Sequence, residues 1–157
     1  MKTLCVKATV AAPVSQVFND LWQMQQFQNI WQPITQTVIK YDDGTHQECV
    51  MWVERAGRQE NLRVIRFRCG QDILFFNPEP PPMMSFHQGA WRLFPTSDGG
   101  CVIVAERKYE LLCHPTETDE EYLGWTEQFH ASFQVRLETL LKTFQHHYEQ
   151  YFSSRAA

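Results

Sequence analysis

An arginine on the apolar face of a strand needs a chemical reason, because a guanidinium cannot shed its charge at ordinary pH and an unpartnered buried charge is costly. In the segment 101–111, Cys101, Ile103, Ala105, Arg107, Tyr109 and Leu111 share one face, while Glu106, Lys108 and Glu110 take the other. The first set reads as inward, so Arg107 is expected inside, where it would call for a bound anion, a carbonyl-rich ligand or a carboxylate such as Glu48 or Glu54. In 83–94, Met83, Ser85, His87, Gly89, Trp91 and Leu93 share a face opposite Met84, Phe86, Gln88, Ala90, Arg92 and Phe94. If Trp91 faces a cavity, His87 and Ser85 come with it. Histidine titrates near about 6.5 and could move a proton there, with Ser85 or an ordered water as relay.

The segment 61–69 leaves two choices open. Leu62, Val64, Arg66 and Arg68 lie on one side, and Arg63, Ile65, Phe67 and Cys69 on the other. Apolar content slightly favours the second set as core. A bulge near Arg68, or an inner face kept polar because it lines a pocket, would reverse that choice. Arg66 and Arg68 therefore each have two readings, a cavity contact or a surface charge whose stem snorkels outward. Arg136 could reach the cavity from the terminal helix, but reads more readily as one half of a helix-edge salt bridge.

These side chains need elements to hold them. Leu4 to Val10 alternates like a strand and is ended by Ala11, Ala12 and Pro13. Val14, Val17, Phe18 and Leu21 then repeat at helical spacing, and a second aromatic-rich segment carries Trp22, Phe27, Ile30 and Trp31 before Pro33. Strands follow at 35–41, 48–55, 61–69, 71–76, 83–94 and 101–112, with turns at Asp42-Asp43-Gly44, Ala56-Gly57 and Asp98-Gly99-Gly100. Thr118 with Glu121 forms a capping box. From Trp125 an aromatic and leucine stripe runs through Phe129, Phe133, Leu137, Leu140, Leu141, Phe144, Tyr148 and Phe152, which marks one face of a long helix.

That order predicts an α+β helix-grip fold: a curved antiparallel sheet of about seven strands wrapped around a long C-terminal helix, two short helices after the first strand, and an internal cavity. One domain over 1–157 is expected from the length. The formal net charge of −4 argues against a nucleic-acid partner. No stretch approaches the roughly 20 apolar residues of a membrane helix. Residues 1–10 lack the pattern of a secretory signal, which makes the cytoplasm the expected location. The five cysteines are scattered and read as free thiols, and His146 and His147, being adjacent, point to different faces of a helix. Neither a metal nor another cofactor is expected.

The segments "VAAPVSQVFNDL" and "GAWRLFP", with the Gly-turn hairpin and the terminal helix, resemble the START-like, or SRPBCC, superfamily. Within it, "VIRFRCGQDILFFNPEPPPMMSFHQGAWRL" is similar to the region of polyketide aromatase/cyclases that carries an arginine on one strand and a tryptophan on a later one. The resemblance puts Arg68 at the arginine position, Trp91 at the tryptophan and Phe27 at an aromatic of the helical entrance. It implies cofactor-independent aldol cyclisation or dehydration of a poly-β-ketone, with an acyl carrier protein as partner. Arg68, His87 and Arg107 would act on the carbonyls, and Phe27, Trp31, Arg66, Met83, Ser85 and Trp91 would bind the chain. The alternative is a non-catalytic carrier of a lipid, quinone or other apolar ligand, which the methionines and aromatics of the strands suit equally.

Overall fold

A computed structural model of the chain describes residues 1–113 and 118–156, the side chains of 152–156 excepted. Strand β1 (Lys2–Val10) leads through Pro13, in extended conformation at the helix N-cap, into α1 (Val14–Trp22) and α2 (Met24–Ile30). Six strands follow: β2 (Ile34–Asp42), β3 (His46–Arg55), β4 (Arg58–Cys69), β5 (Asp72–Phe76), β6 (Met84–Pro95) and β7 (Cys101–Leu111). Helix α3 (Asp119–Ala156) closes the chain. All seven strands form one antiparallel sheet in the order β1-β7-β6-β5-β4-β3-β2.

Turn chemistry sets the register. Ala56 and Gly57 both take positive φ, 49° and 76°, the two-residue turn whose twist matches paired strands, and Arg55 meets Arg58 across it. At the β2–β3 turn the Asp43 carboxylate accepts from the Thr45 and His46 amides at 2.9 and 2.6 Å. These bonds hold its pKa well below the usual carboxylate range. The capping box forms: the Thr118 amide donates to Glu121 at 2.9 Å, and the Glu121 amide donates to Thr118 Oγ1 at 3.2 Å.

The stripe on α3 buries Phe133, Leu137, Leu140, Leu141, Phe144 and Tyr148, with Trp125 and Phe129 half-buried. Phe152, its last position, lies outside the described side chains. These residues pack on Leu4, Val6 and Val10 of β1, Ile103, Ala105 and Tyr109 of β7, and Trp91 and Leu93 of β6. The far half of the sheet has only small apolar clusters, Met24 with Cys49 and Val64, and Ile34 with Val53 and Leu62. The helix thus grips one half of the sheet and stands off the other. The space left between them is the cavity. No helix of the described residues is long and apolar enough to cross a membrane.

Candidate functional site

The cavity measures about 530 Å³ and lies between the inner faces of β3 to β6, helix α2 and the middle of α3. Its wall is mostly apolar, from Met24, Phe27 and Trp31 on the helical side to Val64, Phe75, Met84 and Trp91 on the sheet. Two polar groups stand out deep within it. Arg107 is only 6% exposed and His87 8%.

The Arg107 guanidinium lies over the rings of Phe75 and Trp91, 4.7 and 4.9 Å from their centres, and donates at 2.7 Å to the backbone carbonyl of its neighbour Glu106. Among the described residues no carboxylate pairs with it. Burial pulls its pKa down to about 9, which leaves it a cation at neutral pH. Its stem fits because position 89 is glycine: a Cβ there would stand 2.5 Å from the Glu106 carbonyl, 2.6 Å from Phe75 and 2.9 Å from the Arg107 Cδ. Gly89 and Arg107 are directly opposed in the β6–β7 ladder.

His87 is held by Asn77. The Asn77 Nδ2 donates to the Arg63 carbonyl at 2.9 Å, which turns its Oδ1 toward His87 Nδ1, 2.5 Å away. Nδ1 therefore carries the proton and Nε2 presents a lone pair. That Nε2 is buried and has no hydrogen-bond partner among the described residues. Burial first, then the charges of Arg107 and Arg55, lower the His87 pKa to about 3. The site thus offers a fixed cation and a neutral acceptor, both against Phe75, whose ring centre is 5.8 Å from that of His87.

Arg66 also lines the cavity and is 5% exposed, but its hydrogen bonds are already made. Its guanidinium donates to the carbonyls of Leu21 and Trp22, to Gln47 Oε1 at 2.8 Å and to Met24 Sδ at 2.6 Å. Gln47 in turn donates to the Trp22 carbonyl and to Asp42, each at 3.0 Å. Arg66 ties the α1–α2 junction to the sheet.

No protein-family model matches the sequence, and no curated protein matches it. Solved structures do. The Zhui aromatase/cyclase from Streptomyces sp. R1128 superposes with a TM-score of 0.81 at 18% identity, over 95% of this chain and 94% of that one. The chain has the START-like, helix-grip fold. A START superfamily protein from Mycobacterium smegmatis gives 0.75 at 14% identity, covering 94% and 97% of the two chains. A protein from Thermus thermophilus, TTHA0849, gives 0.75 at 16% identity, covering 92% and 95%. At such identities the likeness is one of fold.

On this START-like frame His87, Arg107, Phe27, Trp31, Arg66 and Trp91 all line the cavity. Arg68, Ser85 and Met83 do not. The inner face of β4 is Leu62, Val64 and Arg66, against the slight apolar count, because Phe67 packs on the outer side with Phe76 and His46. Arg68 continues the inner parity but lies beyond the cavity, where it is exposed and stacks 4.2 Å over Phe18 of α1. A register shift between Met84 and Phe86 breaks the alternation of β6. Met84 and His87 both turn inward, while Ser85 turns out to the Glu110 carbonyl at 3.4 Å. Met83, at φ 74°, sits outside the strand and is half exposed. Glu48 pairs with Arg63 at 3.1 Å and not with Arg107.

Two contributors escaped the sequence reading. Asn77 holds His87 across ten residues, and nothing in its Asn-Pro setting signals that. Arg55 lines the cavity from the end of β3. Arg136 also lines it and lies over Phe129 and Phe133, so the expected salt bridge at the helix edge is absent among the described residues. Its place beside the stripe was the available signal.

Proposed function

We propose that residues 1–157 form one START-like domain whose cavity binds a poly-carbonyl or cyclic hydroxy-ketone intermediate and promotes aldol-type cyclisation and dehydration. The carrying observation is the pairing of an unneutralised buried Arg107 with the free Nε2 of His87 in an otherwise apolar chamber. The name of the Streptomyces neighbour, an aromatase/cyclase, points the same way.

A β-hydroxy ketone matches both groups. Arg107 donates to the carbonyl oxygen, and His87 Nε2 takes a proton from the carbon between carbonyl and carbinol. The electron pair moves to the oxygen as an enolate beside the guanidinium, a charge that Arg107 stabilises as it forms. Collapse of the enolate makes the C=C bond and breaks the C–O bond. The leaving hydroxide takes the proton from Nε2 and departs as water, returning His87 to neutral. In cyclisation the same enolate carbon attacks a second carbonyl, whose alkoxide takes the proton. The apolar wall contributes by holding a flexible chain with its reacting carbons together.

The test is the dehydration of a bicyclic β-hydroxy ketone to its conjugated enone, followed by near-ultraviolet absorbance. The expected result is acceleration by the wild type, a loss of roughly a hundredfold in Arg107→Gln, and unchanged rates in Arg68→Ala. Equal rates in wild type and Arg107→Gln would sink the proposal. A second reading, a carrier that binds without turnover, is favoured by the low His87 pKa, which makes a weak base. It predicts binding of the same ketone with no enone formed.

A further inference from the structure

Among the described residues, the charged groups lining the cavity are four arginines, Arg55, Arg66, Arg107 and Arg136, and one glutamate, Glu54. This excess of positive charge is local, since the chain as a whole carries −4. Arg66 is spent on backbone carbonyls, and Arg107 faces the reacting carbonyl. The other two arginines stand at the open end. Arg136 is exposed, and the side chain of Arg55 is 38% exposed. Glu60 lies 3.5 Å from Arg55 and accounts for that charge. Among the described residues, no carboxylate forms an ion pair with Arg136.

A surface arginine ordinarily extends into water or meets an acid. Arg136 instead lies over Phe133, a ring of the cavity wall, 5.2 Å from its centre, and over the neighbouring Phe129, 5.8 Å from its centre. Stacking on a ring leaves the edge of the guanidinium, where its N–H donors are, open to a planar acceptor. Phe133 also ties this rim to the deep site. Its ring centre is 6.0 Å from that of His87 and 5.2 Å from the Arg136 guanidinium carbon, which bounds their separation at about 11 Å. One ligand of two or three fused rings can reach both.

We propose that the ligand is a free carboxylic acid, its carboxylate on Arg136 at the rim and its hydroxyl or carbonyl end on His87 and Arg107. The assignment rests on the deep site proposed above and adds the other end of the molecule. A bidentate guanidinium–carboxylate contact is charge-assisted and directional. A thioester held by a carrier would bring only a neutral carbonyl to that cation.

The probe is 6-hydroxy-2-naphthoic acid with its methyl ester, which share the ring body and hydroxyl and differ in charge at the rim end. Both are titrated calorimetrically at neutral pH into wild type, Arg136→Gln and Arg107→Gln. Wild type is expected to bind the acid about tenfold or more tighter than the ester, the gain of one charge-assisted contact. Arg136→Gln should bring the acid down to the level of the ester and leave the ester unchanged, which also shows that the variant is folded. Raising the salt concentration should shrink the preference, since the rim is exposed. Equal binding of acid and ester by wild type, or a preference that survives in Arg136→Gln, overturns the proposal. Should the ester still weaken in Arg107→Gln while no acid preference is seen, the deep site stands and the rim assignment alone fails. If Arg107→Gln leaves both compounds unaffected, the deep-site reading fails instead; binding of neither overturns both.

Discussion

Arg66 and Arg107 are both buried guanidinium groups on the inner face of the sheet, yet their surroundings predict opposite responses to removal. Arg66 satisfies the carbonyls of Leu21 and Trp22. Its replacement by methionine strands them, so Arg66→Met should lower unfolding stability by roughly 1–3 kcal/mol. Arg107 has ring faces and one backbone carbonyl for company, and the cation–π contacts offset only part of its desolvation. Arg107→Met should therefore stabilise the ligand-free protein by about 1–3 kcal/mol while abolishing ligand binding. Urea titration of the two variants reads both signs. His87 adds a pH signature. Its folded pKa, about 3, lies below its unfolded value near 6.5. Between those two values the unfolded chain binds the extra proton, so this contribution is complete above pH about 6.5 and is lost as pH falls toward 3. Wild type should lose up to about 1.4 kcal/mol per pH unit more steeply across that window than His87→Gln does. Wild type should also show no ionisation near pH 6.5 in its activity profile.

At the scale of elements, alternation carried the reading as long as strands stayed regular. The faces of β7 could be read directly, with Arg107 on the inner one, because its own alternation is unbroken: its pairing with β1 is continuous, and the one shift in its pairing with β6 falls on the β6 side, at Met84–Phe86. The terminal helix, its capping box and the hairpin turns were legible for the same reason: each is a local pattern with a local cause. What failed was non-local. The shift at Met84–Phe86 expelled Ser85, and no residue type in "PMMSFH" announces it. The end of β4 overruns the cavity, which left Arg68 on α1 and gave the wall to Arg66. The hydrogen bond between Asn77 and His87 depends on where β5 ends against β6, a matter of tertiary placement. Gly89 is the position where element and site meet. Gly89→Ala should cost about 1–3 kcal/mol by overpacking, and it should also weaken ligand binding by displacing the Arg107 stem. Comparing thermal unfolding with ligand titration separates the two effects.

For the molecule as a whole, the helix that grips half of the sheet and stands off the rest makes a chamber without spending a separate element on it. Its charge is arranged in depth: a buried cation beside a neutral acceptor inside, exposed cations at the rim, and an acidic surface elsewhere. The START-like fold supplies the chamber, while the selection of ligand belongs to a few side chains that project into it. On the function proposed, Arg107, and not apolar volume alone, chooses what is bound. Native mass spectrometry of the protein purified from its own host, with solvent extraction of whatever it retains, tests this when repeated on Arg107→Gln and Arg68→Ala. An aromatic or poly-carbonyl compound is expected on the wild type and on Arg68→Ala, and absent from Arg107→Gln. A fatty or quinone ligand held equally by all three proteins would contradict it.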